Sequence, residues 1–166
     1  MTLKVAVIDI GKTNAKLLLI DLATGAEVAV FKAPNRVLPG PPYPHFDIEG
    51  LWAFLLTGLA ELARAHEVAA ISITTHGAAA VLVDAGGALA LPMLDYEFAG
   101  PDALRAEYDA LRPDFAETGS ARLPGGLNLG AQLYWQAQQF PEGFARVAHV
   151  LTYPQYWGWR LTGELA

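Results

Sequence analysis

Ile8-Asp9-Ile10-Gly11-Lys12-Thr13-Asn14-Ala15-Lys16 puts an acidic residue near the end of one apolar run and a tight turn before the next. The run before it, Lys4 to Ile10, is short and rich in β-branched residues, the composition of a buried strand. Gly11 to Asn14 carries turn chemistry, and Ala15 to Leu22 is a second apolar run closed by Ala23-Thr24-Gly25. Glu27 to Lys32 alternates in part and reads as a third strand. Three runs joined by two short turns predict an antiparallel meander.

Beyond the meander, Pro34 to Pro44 contains five prolines and reads as an irregular loop. A helix is predicted from about Asp47 to His66, because Ile48, Leu51, Trp52, Leu55, Leu59 and Leu62 recur at steps of three and four. Asp47 suits its N-cap. Val68 to Thr74 reads as a strand. Ala79 to Val83 and Ala88 to Leu91 flank Asp84-Ala85-Gly86-Gly87 as a hairpin. Pro101 to Leu111 and Leu129 to Phe140 read as helices, the second with Leu129, Leu133, Ala137 and Phe140 on its apolar face. Val147 to Leu151 is a last strand. Tyr153 to Leu161 is a last helix, with Thr152 and Gln155 spaced as a capping box and Gly163 as its stop. The order β-β-β-α-β-β-β-α-α-β-α is that of a mixed-sheet α/β domain.

The 166 residues are enough for one domain with a core, and 53% are hydrophobic against 17% charged. That balance fits either an apolar face turned to a partner or missing domain, or an alanine-rich composition. A net charge of −6 provides no general attraction to DNA or RNA. The absence of cysteine excludes disulfides, thiolate metal sites and a cysteine nucleophile. The first apolar run meets Asp9 too early for a secretory signal. The longest stretch, Val68 to Val83, is broken by Ser72, Thr74, Thr75 and His76, which makes it a poor membrane span. A cytoplasmic protein that binds neither nucleic acid nor membrane is the expectation.

The turn after Asp9 can aim backbone N–H groups, with the Thr13 hydroxyl and the Asn14 amide, at a phosphate. Asp9 suits Mg²⁺, since hard cations prefer carboxylate oxygen, and Lys16 adds positive charge. The same residues also fit an ordinary hairpin turn in which Asp9 caps its own backbone. A Walker A loop is excluded. It needs a glycine five residues before the Gly11-Lys12 pair, where this chain has Ala6, and a helix afterwards, where this chain has an apolar strand-like run.

Asp-x-Gly-x-Thr between two strands, within a β-β-β-α-β order, resembles the first phosphate motif of the actin-like ATPase superfamily, whose fold is ribonuclease H-like. The run Ile8 to Lys16 resembles the FGGY carbohydrate kinases, especially their fuculokinase and rhamnulokinase-like branch. The resemblance implies ATP and Mg²⁺ as cofactors. It implies Asp9 as the metal residue, and Gly11, Thr13, Asn14 and Lys16 as the phosphate-binding group. Many relatives carry Arg where Lys16 stands, and lysine lacks the bidentate fork.

Two further blocks extend the resemblance. Ile71-Ser72-Ile73-Thr74-Thr75-His76-Gly77, followed by Val81 to Asp84, Gly86-Gly87 and Pro92, resembles the family's second block and implies Thr75 and His76 at a sugar cleft. Asp95 and Tyr96 fall where relatives present polar and aromatic groups to the substrate. Hydrogen-bonding groups beside an aromatic face suit a sugar. Read alone, His76 is a partly buried, satisfied histidine, and Asp95-Tyr96-Glu97 a solvated loop that departs from the relatives' Trp-x-Asp-x-Arg pattern. Leu151 to Gly163 resembles the family's Pro-x-Tyr…Leu-Thr-Gly segment, in which Trp157 and Trp159 read as packing residues. Asn128 reads as a helix cap, with a substrate-facing role as the alternative.

The resemblance covers nearly the whole chain. It implies that residues 1–166 are the N-terminal lobe of a two-lobed sugar kinase whose C-terminal lobe is the missing partner. Relatives keep their catalytic base beyond this stretch, so no residue here is assigned that role and the fragment alone is expected to be inactive. The competing readings are another actin-like ATPase and a non-catalytic sugar- or partner-binding domain with a kinase-like fold.

Overall fold

The computed structural model describes residues 2–165. In chain order the strands are β1 (Lys4–Ile10), β2 (Asn14–Asp21), β3 (Glu27–Pro34), β4 (Val37–Leu38), β5 (His45–Phe46), β6 (Ala70–Thr75), β7 (Ala80–Asp84) and β8 (Val147–Thr152). The helices are α1 (Ile48–Ala65), α2 (Arg105–Leu111), α3 (Phe115–Thr118), α4 (Leu129–Gln139), α5 (Pro141–Phe144) and α6 (Tyr153–Thr162), and a 3₁₀ segment, Gly100–Leu104, leads into α2. The chain forms two compact units. The first holds the residues up to Leu38, then Phe46–His76, then those from Tyr153 onward. The second holds Pro39–His45 and Gly77–Thr152.

The first unit is built on a four-stranded sheet of order β3-β2-β1-β6. The predicted meander forms, with β1 antiparallel to β2 and β2 antiparallel to β3, and β6 then pairs parallel to β1. The sheet is therefore mixed. Alternation explains the register, since successive side chains point to opposite faces of a strand. Ala6, Ile8 and Ile10 are buried and stand opposite the buried Leu19, Leu17 and Ala15. A slip of one residue would turn that whole set to the other face.

Helix α1 covers this apolar face with Leu51, Leu55 and Leu62. Gly58 lets it approach closely, because a Cβ there would fall 2.7 Å from Cδ2 of Leu17. Asp47 caps the helix as expected, accepting from the Gly50 N–H at 2.9 Å. Beside this capped end of α1, α6 packs its rings. Trp157 is fully buried and stacks on Trp52 with centroids 6.1 Å apart. Arg160 lies 4.4 Å over the same Trp52 ring and donates through both terminal nitrogens to the Glu49 carboxylate, the shorter bond being 2.7 Å. Gly163 ends the helix at φ 77°, the left-handed region that favours glycine.

In the second unit β7 pairs antiparallel with β8. The turn after Asp84 forms as expected, with the Gly86 and Ala88 N–H groups donating to its Oδ1. The predicted returning strand, Ala88 to Leu91, is reduced to a single bridge, Val83 to Leu89, on the edge of β7 that β8 does not use. Helix α4 also differs from expectation. Its buried line is Ala131, Gln132, Trp135 and Gln136, whereas Leu129, Leu133, Ala137 and Phe140 are only partly buried. The two glutamines are inside because they are satisfied there. Gln132 donates to the carbonyls of Ala78 and Gly126, and Gln136 donates to the Tyr43 hydroxyl at 2.7 Å.

Tyr43 is 3% exposed and donates to the Pro92 carbonyl at 2.8 Å, with Trp135 edge-on and Phe140 tilted beside it. Burial pushes its phenol up to about 12 from an ordinary 10, against the smaller opposing effect of the Gln136 hydrogen bond. The fold thus holds the neutral phenol. Its stabilising effect is intact below pH 10 and is lost as pH rises toward 12, because the unfolded chain releases that proton first. Tyr43→Phe should therefore be less stable than the parent at pH 8, yet lose less further stability between pH 10 and 12. Urea unfolding midpoints across that range check this, and parallel pH curves would refute it.

Candidate active site

Asp9 is the penultimate residue of β1, so its position follows from two registers at once. It stands opposite Lys16 of β2 and opposite Thr74 of β6. Because Ile8 and Ile10 face α1, alternation turns Asp9, Lys16 and Thr74 to the other side of the sheet. This side gathers a half-buried carboxylate, an ammonium and a hydroxyl at the end of the central strand.

The turn that follows is closed by the Gly11 N–H donating to the Asn14 carbonyl at 2.9 Å. No non-glycine residue among the described residues has positive φ, so Lys12 and Thr13 do not adopt the left-handed conformations of the commonest two-residue hairpin turn. Thr13 and Asn14 are exposed, and the Asn14 side-chain amide donates to the Thr13 hydroxyl at 3.0 Å. Among the described residues no hydrogen bond uses the Thr13 backbone N–H. Lys12 extends its ammonium to 4.9 Å from the Phe46 ring centroid, a cation–π contact.

Thr75 and His76 adjoin this turn. The His76 N–H donates to the Ile10 carbonyl at 2.9 Å, which prolongs the β1–β6 pairing by one bond. The Thr75 hydroxyl donates to the His76 carbonyl at 2.9 Å. The imidazole is packed among aromatics, 5.1 Å from the Phe46 centroid and 5.1 Å from that of Tyr153. The first unit therefore collects seven of the nine expected site residues: Asp9, Gly11, Thr13, Asn14, Lys16, Thr75 and His76.

The other two, Asp95 and Tyr96, belong to the second unit. Asp95 is 8% exposed, so the solvated-loop alternative does not describe it. Its Oδ1 accepts from the Glu97 N–H at 3.2 Å, and its own N–H donates to the Pro44 carbonyl at 3.0 Å. Tyr96 is pinned through its backbone, accepting from the Gly126 N–H at 3.0 Å. Gly125 makes this approach possible. Its φ is 58°, and a Cβ would lie 3.3 Å from the carbonyl oxygens of both Tyr96 and Phe98.

Asn128 stands at the N-cap position of α4 but does not cap it with its side chain. It instead braces the preceding loop, accepting from the Leu123 N–H at 2.8 Å and donating to the Ala121 carbonyl at 3.0 Å. The same unit contains a polar cleft of about 390 Å³ whose lining includes Gly77, Ala78, Tyr108, Ser120, Asn128 and Gly130. Neither Asp95 nor Tyr96 lines it.

Sequence reading missed two participants in the turn. Lys12 was passed over because its contact with Phe46 spans 34 residues. Asn35 was passed over because it sits in the proline-rich loop. It is buried at 6% exposure, and its side-chain amide donates to the Gly11 carbonyl at 2.8 Å.

No group of three or more metal-ligating side chains occurs among the described residues. A lone Asp9 carboxylate still fits Mg²⁺, which keeps most of its water and takes one or two carboxylates with substrate phosphates. No helix among the described residues is long and apolar enough to cross a membrane.

No protein-family model matches the chain, and no curated protein matches it. Solved structures do. A carbohydrate kinase from Novosphingobium aromaticivorans is 39% identical over 96% of this chain, with a TM-score of 0.88. A xylulose kinase from Rhodospirillum rubrum is 27% identical over 98% of the chain, with a TM-score of 0.76. A Plasmodium falciparum glycerol kinase solved with ADP is 15% identical over 98%, also with a TM-score of 0.76, and shows likeness of fold alone. The chain spans about a third of the length of these proteins, 34% of the first and 35% of the other two. The mixed sheet with its three-strand meander and flanking helices is thus the ribonuclease H-like fold of the actin-like ATPase kinases, and its neighbours are carbohydrate kinases.

Proposed function

We propose that this chain supplies the first phosphate loop and part of the sugar site of an ATP-dependent carbohydrate kinase. Support comes chiefly from one observation: the 39% identity to a carbohydrate kinase extends over 96% of the chain. In this reading residues 1–166 are the N-terminal lobe, and a C-terminal lobe completes the enzyme. The protein is cytoplasmic and engages neither nucleic acid nor membrane. Its substrate is a ketose or related polyol. The fuculokinase and rhamnulokinase affinity rests only on the Ile8 to Lys16 run.

The reaction is in-line transfer of the terminal phosphoryl group of ATP to a sugar hydroxyl, where catalysis is mostly positioning and charge stabilisation. Mg²⁺, when bound with ATP, supplies neutralising charge to the phosphate oxygens. Asp9 holds it, directly or through water. The backbone of Gly11 and the polar groups of Thr13 and Asn14 meet the phosphate, with the Lys16 ammonium adding charge from the neighbouring strand. Thr75, His76, Asp95 and Tyr96 serve the sugar. The base that accepts the hydroxyl proton lies outside residues 1–166.

ADP release with Mg-ATP and a panel of ketoses and polyols tests this, using residues 1–166 alone and joined to the following lobe. Sugar-dependent release should come from the two-lobed protein only. Turnover by residues 1–166 alone, or release by the long form that ignores every sugar, would contradict the assignment. In the two-lobed protein Asp9→Asn should lower kcat/KM for Mg-ATP by roughly tenfold to a hundredfold, the range seen when a metal site loses a supporting group. It should leave the sugar KM nearly unchanged, and an equal loss in both parameters would remove Asp9 from the metal role.

A further inference from the structure

Two carbonyls of the turn between β1 and β2, those of Gly11 and Thr13, are taken by a single residue. The Asn35 backbone N–H donates to the Thr13 carbonyl at 2.9 Å, and its side-chain Nδ2 donates to the Gly11 carbonyl at 2.8 Å. Asn35 is 24 residues away from Gly11 in sequence and follows the last residue of β3. It is buried, and its Oδ1 is enclosed without a hydrogen-bond partner. Enclosing an unpaired amide oxygen is costly, so this residue is a poor choice for filling space.

The planar trans peptide explains what the clamp accomplishes. In each peptide unit C=O and N–H point in opposite directions. Drawing the Gly11 carbonyl toward Asn35 turns the Lys12 N–H to the opposite side of the turn. Drawing the Thr13 carbonyl inward does the same for the Asn14 N–H. The turn has little internal bracing beyond its closing bond from Gly11 to Asn14, and its two central residues lack the left-handed geometry that would make it rigid.

We propose that Asn35 is a positioning residue for phosphate binding, clamping both carbonyls of the 11–14 turn so that its N–H groups are oriented before the nucleotide arrives. The inference rests on the kinase reading for the identity of the ligand, though not for the clamp itself. An oriented turn binds an anion without first ordering its own backbone, which is the usual gain from preorganisation.

The test uses Asn35→Ala and Asn35→Ser in the two-lobed protein. Amide hydrogen exchange at residues 11–14 is measured without ligand, and Mg-ATP affinity and sugar KM are measured separately. Exchange at the Gly11 N–H, whose bond to the Asn14 carbonyl closes the turn, should quicken at least tenfold. Mg-ATP should bind at least tenfold more weakly, with the sugar KM changed by less than twofold and the melting curve still cooperative. Quickened exchange with unchanged Mg-ATP affinity, or unchanged exchange in both variants, overturns the proposal. If the parent protein binds no Mg-ATP, the kinase reading fails and the phosphate role falls with it, while the exchange data still decide whether Asn35 holds the turn. If both variants fail to fold, the parent alone decides. One Asn35 Nδ2 proton should be protected from exchange and its resonance should move on adding Mg-ATP, and an unprotected, unmoved resonance overturns the proposal.

Discussion

Strand β1 is hydrogen-bonded along both edges, antiparallel to β2 and parallel to β6, and those two ladders fix the geometry of the first unit. They bury Ala6, Ile8 and Ile10 against α1 and thereby turn Asp9 to the opposite side. They also bring beside it Lys16 from the next strand and Thr74 from a distant segment. Moving either ladder by one residue would bury the carboxylate and expose the isoleucines. Core and candidate site are thus two faces of one constraint, and the apolar alternation that stabilises the sheet also orients its chemistry.

Inside both units, buried amides anchor loops. Asn35 anchors the β1–β2 turn, Gln132 ties the segments around Ala78 and Gly126, and Gln136 meets Tyr43. Side-chain amides suit this work because they donate and accept without carrying a charge that burial would penalise. A carboxylate serves the same purpose where an arginine is available. Asp102 accepts from the Gly125 N–H at 2.8 Å and from Arg122 at 3.2 Å, which steadies the loop against the backbone of Tyr96.

Hydropathy made the sheet readable and hid these amides. The meander, α1 with its Asp47 cap, the packing role of Trp157 and the Gly163 stop all follow from periodicity and terminal chemistry visible in the sequence. The inward face of α4 did not, since Gln132 and Gln136 look like solvent-facing residues until their carbonyl partners are known. Asn35 was hidden by a register shift. The β2–β3 pairing slips between Leu19 and Ile20. Counted from Ile20 opposite Glu27 with no slip, Thr13 would face Pro34, which has no N–H to give. The irregularity brings Asn35 there instead, and nothing in the residue types announces it. Read alone, Asp95-Tyr96-Glu97 is a solvated loop after a strand, but Asp95 is buried.

The first unit is discontinuous, since α6 joins it only after the 76 residues from Gly77 to Thr152 have been made. On a ribosome, chains emerge from the amino end at about 5–20 residues per second. The meander, α1 and β6 therefore exist for several seconds before Tyr153 and Trp157 arrive to cover Phe46 and Trp52. During that interval the aromatic surface of α1 is open to water and to other nascent chains. Folding of this unit is then set by the order of translation as well as by its contacts, and the last ten-residue helix acts as the step that closes it.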